Sequence, residues 1–319
     1  EMGESARAAS IVLQQLPEVR INEILCDMAD ALVQHSEQIL IVNNMDMDSA
    51  RGVVPDTMLD RLLLSKDRIH QMAEGVRQVS LLPSPVGTVL ENIDRPNGLH
   101  IEKRAVPFGV IGIIFEARPN VTVDAGALCF KTANATILRG GKEAFRTNRT
   151  IVSIMQDVLE AHDLPRGAIQ LVEVLDREAV SVLLQQRRYI DVVIPRGGAG
   201  LIQRVVRDSM IPVIETGSGI CHTYVDAEAN IDMAVDIAVN AKVQRPSVCN
   251  SMETLLVHSS IAKEFLLALE TKLAHHHVTI HGTPEVLQIV NGVAVDDNSF
   301  GTEYNDFDLN VAIVSSVDE

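Results

Sequence analysis

The chain has 319 residues, enough for two domains or one large one. Apolar residues make up 46% and charged residues 22%, which supplies a packed core and excludes a disordered chain. With 27 basic against 43 acidic residues the net charge is -16, which disfavours nucleic acid and anionic membrane surfaces as partners but leaves room for a local basic pocket that takes a small anion.

The first eighty residues read as helices: Ile21, Ile24, Leu25, Met28 and Leu32 fall on one apolar face. Pro55 and the stretch 82–87 are breaks. Residues 88–106 read as an extended, hairpin-like arm with a turn at Arg95-Pro-Asn-Gly98. Val110-Ile-Gly-Ile-Ile-Phe115 is a continuous apolar run, which predicts a strand covered on both faces. Helix and strand then alternate: helix 123–132, strand 136–138, helix 143–161, strand 168–172, helix 177–186, strand 190–194, a helix from about 199 and an apolar strand at 211–214. This alternation predicts an α/β fold, a parallel sheet wound with helices. Residues 216–319 repeat it less regularly, with a helix at 231–242 and strands at 254–257 and 311–314, and are expected to form a second α/β lobe. The expected domains are therefore 1–215 and 216–319. Ser315 to Glu319 reads as the capped start of a helix, so the second lobe is expected to be incomplete at its C-terminus.

Two strand-to-helix junctions are rich in glycine: Leu138-Arg-Gly-Gly-Lys-Glu143 and Pro195-Arg-Gly-Gly-Ala-Gly200. Backbone N–H groups and a helix start can meet an anion at such a turn, and two on one sheet favour a phosphorylated cofactor over two ordinary tight turns. The four cysteines, Cys26, Cys129, Cys221 and Cys249, are dispersed without a CxxC pair, which argues against a disulfide scaffold or zinc knuckle. With no basic-then-apolar start, the expected compartment is the cytoplasm. Cys249, in Gln244-Arg-Pro-Ser-Val-Cys-Asn250, has polar neighbours and a nearby cation in Arg245, which favour an accessible thiolate. Cys26 and Cys129 read as buried small hydrophobes. Glu215, at the end of an apolar run and beside glycines, suits the rim of a site or a hydrogen-bonded turn. His275-His-His277 lacks metal-ligand spacing and reads as a surface loop, so no metal is expected.

Four segments in one order, Pro107–Thr122, Ile137–Ala144, Val193–Gly198 and Gln244–Asn250, resemble the aldehyde dehydrogenase superfamily, and within it the gamma-glutamyl phosphate reductases. The resemblance spans essentially the whole chain. It implies a Rossmann-like domain for NADP(H), a catalytic lobe, and a role for 88–106 in oligomerisation. It implies NADPH-dependent reduction of L-glutamyl 5-phosphate to L-glutamate 5-semialdehyde, a step of proline biosynthesis, through a cysteine thioester. It implies Cys249 as nucleophile and Asn120 as the amide facing the oxyanion. Arg139, Gly140, Gly141 and Lys142 then border the adenosine ribose, Arg196, Gly197 and Gly198 lie near the cofactor phosphates, and Glu303 holds the nicotinamide ribose. Arg118 and Arg245 are both candidates for the substrate phosphate. Glu215 matches the general base of hydrolytic aldehyde dehydrogenases, so a hydrolytic enzyme stays as one alternative. A catalytically silent partner of the upstream kinase, glutamate 5-kinase, is another. A homo-oligomer and contact with that kinase are the expected protein partners.

Overall fold

The computed structural model describes residues 1–215, 217, 219–296 and 298–319, with side chains throughout except at 56 and 57. The chain divides into two compact units, Glu1–Thr216 and Gly217–Glu319.

The first unit begins with five helices: α1 (Met2–Leu13), α2 (Glu18–Gln34), α3 (Ser36–Ala50), α4 (Asp56–Leu62) and α5 (Lys66–Leu81). The α2 face formed by Ile21, Ile24, Leu25, Met28 and Leu32 is buried, as its spacing requires. An antiparallel hairpin follows, β1 (Val89–Asp94) and β2 (His100–Arg104), whose strands are exposed almost throughout. The sheet then forms from β3 (Val110–Phe115), α6 (Pro119–Lys131), β4 (Ala135–Arg139), α7 (Phe145–Ala161), β5 (Ile169–Leu171), α8 (Glu178–Leu184), β6 (Val192–Arg196) and α9 (Ala199–Asp208). Its order is β5-β4-β3-β6, and every pair is parallel. All six residues of β3 are buried, which is why its sequence is apolar without alternation.

Charged ties orient the helices. Both nitrogens of the Arg7 guanidinium reach Asp191, at 2.8 and 3.0 Å, and the Asp191 carboxylate also accepts the Val110 N–H. Buried Asp46 accepts the Thr147 N–H at 2.8 Å and fastens α3 to the start of α7.

Most boundaries shift by one or two residues from the sequence expectation, and three differences have a clear cause. Helix α6 starts at Pro119 rather than 123, because proline is preorganised for the first helical position and its missing N–H is not needed there. Residues 211–214 make one isolated parallel bridge, Val193 with Val213, rather than a full strand; Pro212 accepts from Val193 N–H but has no N–H to extend the ladder. Ser315 does not open a helix: its N–H and hydroxyl both bond the Glu319 carboxylate at 2.7 Å in a local turn.

The second unit contains β7 (Cys221–Val225), α10 (Ile231–Val243), β8 (Met252–His258), α11 (Ala262–Ala274), β9 (Thr279–Gly282), α12 (Pro284–Leu287), β10 (Val293–Ala294) and β11 (Asp308–Val314). Its sheet order is β10-β9-β11-β8-β7, again parallel at every pairing. Among the described residues, no helix is long and apolar enough to cross a membrane.

Candidate active site

In the first unit, β4 and β5 lie on one side of β3 and β6 on the other, so the strand order reverses beside β3. In open parallel sheets, ligands bind at the carboxyl ends of strands beside such a reversal. The turn Gly197-Gly198 leaves β6 there, and Gly198 caps α9. Glu116, directly after β3, reaches this turn: its Oε1 accepts the Gly198 N–H at 3.1 Å. A Cβ on Gly197 would lie 2.7 Å from the Glu116 carboxyl carbon, so a side chain there would displace that carboxylate. Arg196 is exposed at the end of β6.

The β4 junction is built differently. Arg139 is buried, and its guanidinium donates to the carbonyls of Gly140, Leu175 and Asp176. Desolvation lowers its pKa, opposed by the charge of Glu143. The sequence offered two cations at this junction. Arg139 is turned inward as a strut between the loops after β4 and β5, and Lys142 is exposed. A Cβ on Gly140 would collide with the Asn148 amide, which keeps the turn tight. Beside these loops an open cleft of about 710 Å³ is lined by Val172, Val174, Ala179, Val182 and Leu183.

Asn120 lies in the first turn of α6, exposed, with Nδ2 3.2 Å from Asp124 Oδ2. Asp124 and Arg196 are both on the rim of a second cleft, of about 680 Å³, floored by Ile111, Ile113 and Val121. Desolvation raises the Asp124 carboxyl above its usual range, with the Asn120 amide pulling the other way. Arg118 is the N-cap of α6 and partly exposed. Glu215 is exposed, and residues 216 and 218 of its Glu-Thr-Gly-Ser-Gly segment lie outside the described residues.

In the second unit, Cys249 is exposed in the loop 244–251 between α10 and β8. Its carbonyl accepts from the Cys221 thiol at 3.5 Å, and a Cβ on Gly219 would stand 2.8 Å from that same oxygen. The backbone at Cys249 is thus held against the leading end of β7 while the side chain faces out. Exposed Arg245 precedes it by one turn of the loop. Glu303 is half-buried in the irregular segment before β11. The other thiols differ from Cys249. Cys129 is buried, and burial pushes it up to about 12. Cys221 is partly exposed, and so is Cys26, contrary to the sequence expectation, with Sγ 3.5 Å from the Ser80 hydroxyl. His275 to His277 lie exposed in the turn after α11.

The aldehyde dehydrogenase family model matches residues 1–288. A gamma-glutamyl phosphate reductase from Moorella thermoacetica is 50% identical over 318 residues, 99% of this chain and 76% of the relative. The enzyme of that name from Heliobacterium modesticaldum is 48% identical over 319 residues, again 99% and 76%. This chain belongs to the gamma-glutamyl phosphate reductases of the aldehyde dehydrogenase family. The crystal structure of a gamma-glutamyl phosphate reductase from Thermotoga maritima superposes with a TM-score of 0.87 at 38% identity, covering 99% of this chain and 77% of that one. Membership makes the chain an oxidoreductase that uses a nicotinamide cofactor on a small-molecule substrate.

Sequence reasoning missed three residues that shape these sites. Glu116 holds the glycine turn and carries no local signal, because it reaches Gly198 only through the pairing that sets Phe115 beside Arg196. Lys242 and Glu253 form a buried ion pair at the two ends of the Cys249 loop, with Nζ and Oε2 3.1 Å apart. Lys242 shares the buried face of α10 with Val235 and Ala238, and a lysine on an apolar face is a readable sign of a buried partner.

Proposed function

We propose that this chain reduces L-glutamyl 5-phosphate to L-glutamate 5-semialdehyde with NADPH and releases phosphate, a step of proline biosynthesis. The observation that carries the reading is the exposed Cys249, on a loop whose backbone is held against β7, in a chain half identical along its length to a gamma-glutamyl phosphate reductase.

The residues fit a dinucleotide. On the family resemblance, Arg196 to Gly198 would lie near its phosphates and Arg139 to Lys142 would border the adenosine ribose, where the exposed Lys142 would meet an added ribose phosphate by charge-assisted hydrogen bonds. The cleft of Val172, Val174 and Val182 would take the flat base, and Glu303 the nicotinamide ribose.

The Cys249 thiolate attacks the acyl carbon, the C–S bond forms and the bond to the phosphate oxygen breaks, leaving a thioester. NADPH, when bound, supplies the hydride that makes this thioester a thiohemiacetal. Its C–S bond then breaks, the aldehyde leaves and the thiolate is restored. Negative charge grows on the substrate carbonyl oxygen in each addition. The Asn120 amide and the Cys249 N–H are the donors for it, each worth about 3 kcal/mol where the geometry is preorganised. Arg118 and Arg245 are the two candidate cations for the departing phosphate. The exposed hairpin of β1 and β2 is, on this reading, an assembly arm that seeks a sheet edge in a second copy.

Oxidation of glutamate semialdehyde by NADP⁺ tests the reaction. The expected result is turnover that requires inorganic phosphate and is lost by several orders of magnitude in Cys249→Ser, with NADPH binding retained. Turnover without phosphate would indicate a hydrolytic enzyme, and an active Cys249→Ser would end the thioester mechanism.

A further inference from the structure

The loop that carries Cys249 has no regular structure of its own, yet the structure closes its base with a charged pair. Lys242, in the last turn of α10, is fully buried, and Glu253, the second residue of β8, is 1% exposed. Their 3.1 Å contact spans the loop from one end to the other. Ser251 adds a second tie, its hydroxyl donating to the carbonyls of Ala241 and Lys242 at 3.3 and 3.4 Å. The other Glu253 oxygen faces a different segment: Oε1 accepts the Asn305 N–H at 3.1 Å. Asn305 lies two residues after Glu303 and holds a positive φ of 55°.

A buried ion pair is a poor way to gain stability, because desolvation offsets most of the attraction and apolar residues of similar size often hold a fold as well. What this pair supplies is direction. One carboxylate receives an ammonium from the helix before Cys249 and the Asn305 N–H from the segment after Glu303. We infer that the Lys242–Glu253 pair is a positioning device that sets the Cys249 loop and the Glu303 segment in one register. This rests on the proposed roles of Cys249 as nucleophile and Glu303 as a nicotinamide-ribose ligand. Lys242 and Glu253 act through these neighbours and touch no reacting atom.

The test replaces both charges at once, Lys242→Met with Glu253→Met, so that neither is left buried alone. The expected outcome is a melting temperature within a few degrees of the parent, Cys249 alkylated by iodoacetamide within about twofold of the parent rate, kcat down at least tenfold and KM for NADPH up at least threefold. A purely structural role does not split the thiol's reactivity from turnover in this way. Parent-like kcat and KM at unchanged melting temperature would overturn the inference. If the double variant does not fold, Glu253→Asp decides. It keeps the charge but withdraws it by one methylene, and it should lose kcat at least tenfold while remaining folded; parent-like turnover again overturns the inference. Cys249→Ser, run alongside, separates the two levels. An inactive Cys249→Ser beside a fully active pair variant defeats this inference alone, whereas an active Cys249→Ser defeats the reading beneath it.

Discussion

Asp124 stands exposed one helical turn from Asn120 beside an apolar cleft, whose desolvation raises its carboxyl pKa while solvent keeps the effect small. Between the unfolded value near 3.8 and the raised native value, the native state therefore holds the proton more tightly than the unfolded state. Stability falls as pH rises through that window, and the cost is fully present above it. Asp124→Asn removes the titration, so its melting temperature should exceed the parent's at pH 7 and converge with it below the unfolded value. Thermal melts across pH check this, and a parallel offset at all pH values would contradict it. The same physics separates the cysteines: burial that pushes Cys129 to about 12 leaves it no thiolate at neutral pH, while Cys249 stands in solvent.

At the scale of the element, the two glycine junctions have similar sequences and different electrostatics. The β6 junction presents the Gly198 N–H to the internal carboxylate of Glu116. The β4 junction buries Arg139 against three carbonyls and leaves Lys142 outside. Arg196 at the β6 junction is exposed as well, but the family resemblance sets the adenosine ribose beside the β4 junction, so the choice between NADPH and NADH is assigned to Lys142. A charge-assisted hydrogen bond contributes about 1.5–3 kcal/mol. Lys142→Ala should therefore raise KM for NADPH about tenfold or more. KM for NADH should stay within about twofold, and steady-state kinetics with both cofactors reads this directly. Equal losses would remove the role.

At the scale of the whole molecule, the hairpin presents Leu90 and Ile101 on two short strands with open edges, and Leu99 in the turn between them, to solvent. An isolated two-stranded ribbon is marginally stable in water, and unpaired edges favour pairing with another chain. Sedimentation should find a homodimer or larger symmetric assembly. Leu90→Lys with Ile101→Lys should shift it towards monomer while the melting profile of the remaining fold is kept. A monomeric parent at high protein concentration would refute the assembly role.

The element types and the family were legible in the sequence because their signals are local. An unbroken apolar run such as Val110–Phe115, rich in β-branched residues and short, reads as a strand covered on both faces, and the α2 face repeats every turn. Glycines follow strands where backbone must come close. The polar neighbours of Cys249 marked it as the accessible thiol. Tertiary structure decided which charged groups face one another. Nothing near Arg139 in sequence says that it turns inward, because two of its acceptors, Leu175 and Asp176, arrive from the loop after β5. Glu116 meets Gly198 only because β3 and β6 are neighbours. Glu253 meets Asn305 only because the chain returns to it through β11. Backbone propensity and hydrophobic period act over a few residues and are written in any short window. Partners of buried charges are set by sheet order and register across long stretches of chain, so they emerge only when the strands are in place.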